Sequence, residues 1–125
     1  MGGSGRVARG LKRGQIWMYT FKPPDKRRPV LILTRPEVIG LLETVTVAPI
    51  TSTIRGSPGE VVLDVEEGLK GRSAANLDHI QTVRQETLHT YVGSLAPGKS
   101  REVCRALMIA LGCGDGDALG GGASR

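Results

Sequence analysis

Three groups of residues in this 125-residue chain are of the types that act on a phosphate diester. Lys26-Arg27-Arg28 stands directly before Pro29 and the apolar run Val30-Leu31-Ile32-Leu33. Thr51-Ser52-Thr53 ends a second apolar run, Val45-Thr46-Val47-Ala48-Pro49-Ile50. Asp78-His79 interrupts a third strand-like region. A guanidinium is a planar fork that holds two non-bridging phosphate oxygens at once, and small hydroxyls add bonds that fix the phosphorus in line. An acid and an imidazole are side chains that move protons near neutral pH. Together these are parts that could hold a phosphate diester and move protons beside it. The competing reading of Arg28 is an ordinary salt bridge to Glu60 or Asp78.

The chemistry requires the two apolar runs to be neighbouring strands, so that Arg28 and Thr51 meet at one end of one sheet. Ile16 to Phe21 reads as the first strand, and Lys22-Pro23-Pro24-Asp25-Lys26 as a turn no strand continues through. Pro29 to Thr34 reads as a second strand buried on both faces, and Thr44 to Ile50 as the third. Thr53 to Gly59 has loop composition, with Ser57-Pro58-Gly59 at its end. Short strands are expected at 60–63, 72–77, 80–83 and 91–95, with a single helical turn at 84–88. Adjacent residues on a strand face opposite ways, so Asp78 and His79 are expected not to share a pocket. His89 is expected to be exposed, and Trp17 to pack in the core.

A helix is expected to start at Pro97, where proline is tolerated, and to stop at Gly112. Val103, Ala106, Leu107, Ala110 and Leu111 follow helical spacing and form its core-facing stripe. Cys104 is expected to be buried and Cys113 exposed near the helix end. On one helix they stand roughly 13 Å apart, too far for a disulfide. Many short strands and one terminal helix give a mainly β domain, a small curved antiparallel barrel capped by the helix. That domain is expected over 13–113, after a basic leader at 1–12 and before a Gly-rich tail at 114–125.

Charge is distributed unevenly. Residues 1–35 hold nine Lys or Arg and one acid, whereas the rest of the chain holds eight bases and eleven acids. A basic end on a compact domain favours a polyanionic partner. With one Trp, two Tyr and one Phe, a broad base-stacking sheet is excluded, and recognition must rest on backbone charge and few base contacts. No apolar run approaches bilayer length and no secretory h-region is present, so a cytoplasmic protein without a membrane partner is expected. Two cysteines without clustered histidines offer no zinc site.

The order of these segments resembles the MazF/PemK toxin family. Five pieces carry the likeness: Arg13-Gly14-Gln15-Ile16-Trp17, Arg28 to Leu33, Thr44 to Ser52, Leu77 to Val83, and Gly93-Ser94-Leu95-Ala96-Pro97 with the helix after it. The resemblance implies an SH3-like barrel of the MazF/PemK/CcdB kind, a homodimer, and cleavage of single-stranded RNA without metal or cofactor. It also implies a MazE-like antitoxin that lays an acidic tail across the active groove. On it, Arg28 falls on the catalytic arginine, Thr51 on the catalytic threonine, and Asp78 on an acidic position used by some members. Ser52, Lys26, Arg27, Asn76 and His79 become candidate substrate contacts. Asn76 and Gln81 stand where some members carry arginine, which leaves a second guanidinium without a counterpart. The first turn is shorter than in many members, so no acid–base residue carries over from it. Two alternatives use the same scaffold: a CcdB-like gyrase inhibitor that only binds, and a non-catalytic nucleic-acid-binding barrel.

Overall fold

A computed structural model describes residues 10–22 and 26–113. The expected turn at Pro23-Pro24-Asp25, most of the leader and the Gly-rich tail lie outside the described residues. Seven strands form one sheet: β1 (Gln15–Thr20), β2 (Arg27–Ile32), β3 (Thr44–Thr51), β4 (Glu60–Leu63), β5 (Ser73–Asn76), β6 (Gln81–Arg84) and β7 (Leu88–Ser94). A single helical turn, α1 (Pro36–Ile39), precedes β3, and α2 (Lys99–Leu111) ends the domain. The strand order is β4-β5-β3-β2-β1-β7, and β6 also pairs with β3. Every ladder among the described residues is antiparallel.

The sheet is strongly curled and open, so it has a hydrophobic face on each side. Val30, Leu31 and Ile32 are all fully buried, and alternate side chains enter two different clusters. One cluster joins Leu31, Ile50, Leu63 and Leu77 to Val103 and Ala106 of α2. The other joins Val30, Ile32, Val45, Val47 and Leu88 to Trp17. This explains why β2 has no polar face to alternate with. Leu11 is buried in the second cluster, so packing begins before Arg13, where the sequence reading started the domain.

The two ends of the sheet are tied by a side chain. Glu67, buried in a single 3-10 turn (Val65–Glu67), accepts from the backbone N–H of Asp64 at 2.8 Å and of Ala96 at 3.2 Å. Beside it the chain passes at backbone contact. A Cβ on Gly93 would strike the Glu67 carbonyl, and Gly68, in the left-handed region at φ 91°, has its Cα 3.1 Å from the same point. Only glycine fits that approach.

Three local expectations need correction. Pro97 is not in the helix. Gly98, at φ 90°, is the N-cap, and the first helical residue is Lys99. Leu111 points away from the core and is exposed, since Gly112 already turns the chain there. Cys104 is exposed, with Arg13 Nη2 3.5 Å from its sulfur, because it lies just outside the Val103–Ala106 stripe. Trp17 in the core, and exposed Cys113 and His89, are as expected.

Candidate active site

A proline opens the site. β2 and β3 pair at Ile32–Val47, Leu31–Ala48 and Val30–Pro49, and the ladder ends there. Leu33 N donates to Thr46 O across this seam, so the β2 residues whose N–H faces β3 are Leu33, Leu31 and then Pro29, and Pro29 has none to donate. Continuing the same register by one side-chain repeat sets Arg28 opposite Thr51, where the strands have no ladder to hold them together. Arg28 belongs to the strand rather than preceding it, because β2 starts at Arg27 and pairs with β1 as Arg27–Thr20 and Arg28–Tyr19. Past the gap, β3 is held from its other edge by β5, as Ile50–Ala75 and Thr51–Ala74.

That other edge supplies the rest of the site. β3 pairs with β6 over Thr44–Val47 and with β5 over Ile50–Thr51. Between these two ladders the chain makes a 3-10 turn, Leu77–His79. Leu77 anchors the turn in the core beneath α2, and its N–H donates to the Gly59 carbonyl at 2.8 Å. A tight turn does not alternate faces as a strand does. Asp78 and His79 therefore line one cleft, contrary to the strand-based expectation.

The cleft has a volume of about 690 Å³ and is lined by Arg28, Thr51, Asn76, Asp78 and His79. Among the described residues no carboxylate lies within ion-pair distance of Arg28. Glu60, one acid that might have neutralised it, instead accepts from the backbone N–H of Arg55 at 3.1 Å and of Gly56 at 2.8 Å. This bonding folds the 53–59 loop over the cleft and brings Arg55 to its wall. Arg55 is thus a second guanidinium, supplied by a loop rather than by the strand position at Asn76. Sequence reasoning missed it because nothing in Arg55-Gly56-Ser57 indicates where the loop lies.

Hydrogen bonds fix the state of three groups. Thr51 Oγ1 accepts from Thr53 N at 3.1 Å, which leaves its own proton to donate into the cleft. Asn76 Oδ1 accepts from Asp78 N at 2.9 Å, so its amide nitrogen faces His79 Nδ1, 3.2 Å away. The amide donates, the imidazole accepts at Nδ1, and the ring proton sits on Nε2. Asp78 packs on Gly59, where a Cβ would meet its carboxyl group.

Ser52, Lys26 and Arg27 are not in this cleft. They line a second one of about 670 Å³, and Arg28 and Thr51 form the wall common to both. Among the described residues no group of three or more His, Cys, Asp or Glu side chains could hold a metal ion.

The sequence pattern of the PemK-like, MazF-like toxins of type II toxin–antitoxin systems matches residues 12–111. The chain is 39% identical over 102 residues to a probable endoribonuclease, MazF5, of Mycobacterium tuberculosis, covering 81% of this chain and 93% of that protein. It is 42% identical over 83 residues to endoribonuclease MazF3 of the same organism, covering 66% and 81%. Among solved structures, Mycobacterium tuberculosis toxin MazF-mt6 superposes with a TM-score of 0.74 at 37% identity, covering 81% of this chain and 99% of that one. A mycobacterial endoribonuclease in complex with its cognate antitoxin superposes with a TM-score of 0.75 at 25% identity, covering 85% and 99%.

Proposed function

Because the chain belongs to the PemK-like, MazF-like toxin family of type II toxin–antitoxin systems, we propose that it cuts single-stranded RNA at the Arg28–Thr51 cleft. It is an endoribonuclease, and it cleaves by attack of the 2′-hydroxyl, leaving a 2′,3′-cyclic phosphate and a 5′-hydroxyl, without metal or cofactor. The observation that carries this reading is a guanidinium with no carboxylate partner among the described residues, standing across from a threonine hydroxyl and sharing its cleft with Asp78.

Each residue has one task. Arg28 holds the non-bridging oxygens as charge builds on them, and Arg55 adds positive potential from the loop. Thr51 donates its hydroxyl proton to the same phosphate. Asp78 takes the proton from the 2′-hydroxyl, since its carboxylate is unoccupied by any hydrogen bond among the described residues. His79 binds rather than transfers a proton, offering Nε2–H to the substrate. The 5′-oxygen leaves on the far side from the attacking hydroxyl, where water in the open cleft supplies its proton.

The protein acts as a homodimer in the cytoplasm and is silenced by a cognate antitoxin whose acidic tail competes for these cations. Among the described residues, no helix is long and apolar enough to cross a membrane. A gyrase inhibitor that acts by binding alone has no use for a guanidinium, an alcohol and a carboxylate lining one cleft.

The test is incubation of the purified protein with labelled RNA in excess chelator. Cleavage that persists in chelator and falls by about 10²–10³ in Arg28→Ala supports the reading. Arg28→Lys keeps the charge but loses the fork, and should recover only part of the rate. Strict dependence on added magnesium would overturn the mechanism.

A further inference from the structure

The second cleft lies on the other side of Arg28 and Thr51, and nothing in the mechanism uses its far end. Lys26, Arg27, Arg28, Lys70 and Arg72 converge on it, and its lining contains no carboxylate. None of these five cations makes an ion pair among the described residues. Five like charges around one hollow repel one another until an anion enters. Its volume of about 670 Å³ is in the range that holds nucleotide-sized ligands.

The hollow also has a stacking surface. Tyr91 is 52% exposed, although it is one of only two tyrosines. The ring is fixed: its hydroxyl lies 2.9 Å from Ser94 Oγ, and it makes a T-shaped contact with Trp17 at a centroid distance of 5.8 Å. The opposite wall is fixed too. The Gly68–Gly93 backbone contact and the buried Glu67 pin the segment carrying Lys70 and Arg72 against the strand carrying Tyr91. These are the components of a single-strand site, namely a positive track beside an immobilised aromatic.

We propose that this cleft binds the RNA strand on one flank of the cleaved bond. Lys70 and Arg72 take successive phosphates there, and one base stacks on Tyr91. The inference rests on the nuclease reading, because the strand enters this hollow by continuing past the phosphate held between Arg28 and Thr51. A phosphodiester chain fits better than an acidic peptide, because each nucleotide unit supplies both a charge and a flat ring.

The test compares kcat/KM of the full chain on two oligonucleotides: one trimmed to the cleavage motif, and one with that motif extended at its 5′ or its 3′ end. In the wild type, extension at one end should raise kcat/KM. Lys70→Ala/Arg72→Ala should lose about tenfold on the extended RNA and less than about twofold on the trimmed one, and its salt slope should fall by about 1.4. Tyr91→Ala should lose about fivefold or more on the extended RNA only, while Tyr91→Phe keeps the advantage. Equal losses on both substrates, no losses, or no benefit from extension at either end overturn this inference alone. Variants that cleave all RNA normally but bind an acidic peptide more weakly would also overturn it, and would assign the cleft to a protein partner. A wild type that cuts neither RNA overturns the nuclease reading with it.

Discussion

Gly59 and Asp78 occupy adjoining space so tightly that the Asp78 carboxyl carbon lies 2.8 Å from where a Cβ on Gly59 would stand. The backbone at Gly59 is not in the left-handed region, so alanine is conformationally allowed there. The three nearest atoms to that point all belong to the carboxyl group, the mobile end of a side chain. Gly59→Ala should push Asp78 out of line and lower single-turnover cleavage by about 10- to 100-fold, for loss of alignment at the reacting atoms. Thermal unfolding should move little. A rate unchanged from wild type would remove Asp78 from the mechanism.

Thr51 gives a cleaner pair of substitutions. Thr51→Val keeps the shape and deletes the hydroxyl, so both the acceptor for Thr53 N and the donor into the cleft are lost. Cleavage should fall by about a hundredfold, with KM nearly constant. Thr51→Ser restores the hydroxyl and should recover most of the rate. If serine and valine behave alike, the methyl group rather than the oxygen matters.

Asn76 sets both the turn and the ring beside it. Asn76→Ala removes the bond to Asp78 N and should cost about 1 kcal/mol of stability, as a lost cap does. Asn76→Asp keeps that acceptor but no longer donates to His79 Nδ1. Ring-nitrogen NMR should then report a proton on Nδ1, where the wild type has one on Nε2. An unchanged ring spectrum in Asn76→Asp would show that the amide does not select the tautomer.

Glu67 is a matter of stability. Its carboxylate satisfies two backbone N–H groups inside the fold, and Glu67→Ala strands both. The loss should be about 2–4 kcal/mol, read by denaturant unfolding. Glu67→Gln turns an amide NH₂ toward one of those donors and should cost about 1–3 kcal/mol. Wild-type stability in both variants would mean the sheet's ends are held by other contacts.

The sequence made some of this legible and left some hidden. Arg28 and Thr51 could be paired on paper, because an uninterrupted apolar run bounded by proline identifies a buried strand and its end. Tyr91 and the Lys70–Arg72 segment could not, since their meeting depends on how far the sheet curls and on two glycines in contact. Asp78 and His79 were split between faces because three residues of 3-10 turn carry no periodicity that distinguishes them from a strand. Arg55 was invisible for a related reason. Its place is set by a Glu60 carboxylate that binds backbone amides, and a reading by charge would have paired that acid with a cation.

The proline at the mouth of the second strand has a consequence for timing. Because the Pro29 ring nitrogen carries no hydrogen, the bond it would give to the third strand cannot form, with or without RNA. The groove is held ajar by covalent structure, so no conformational tax is levied at the moment substrate arrives. An inhibitor that controls such an enzyme must plug a standing aperture. Once the plug is degraded, the enzyme is armed without any refolding step.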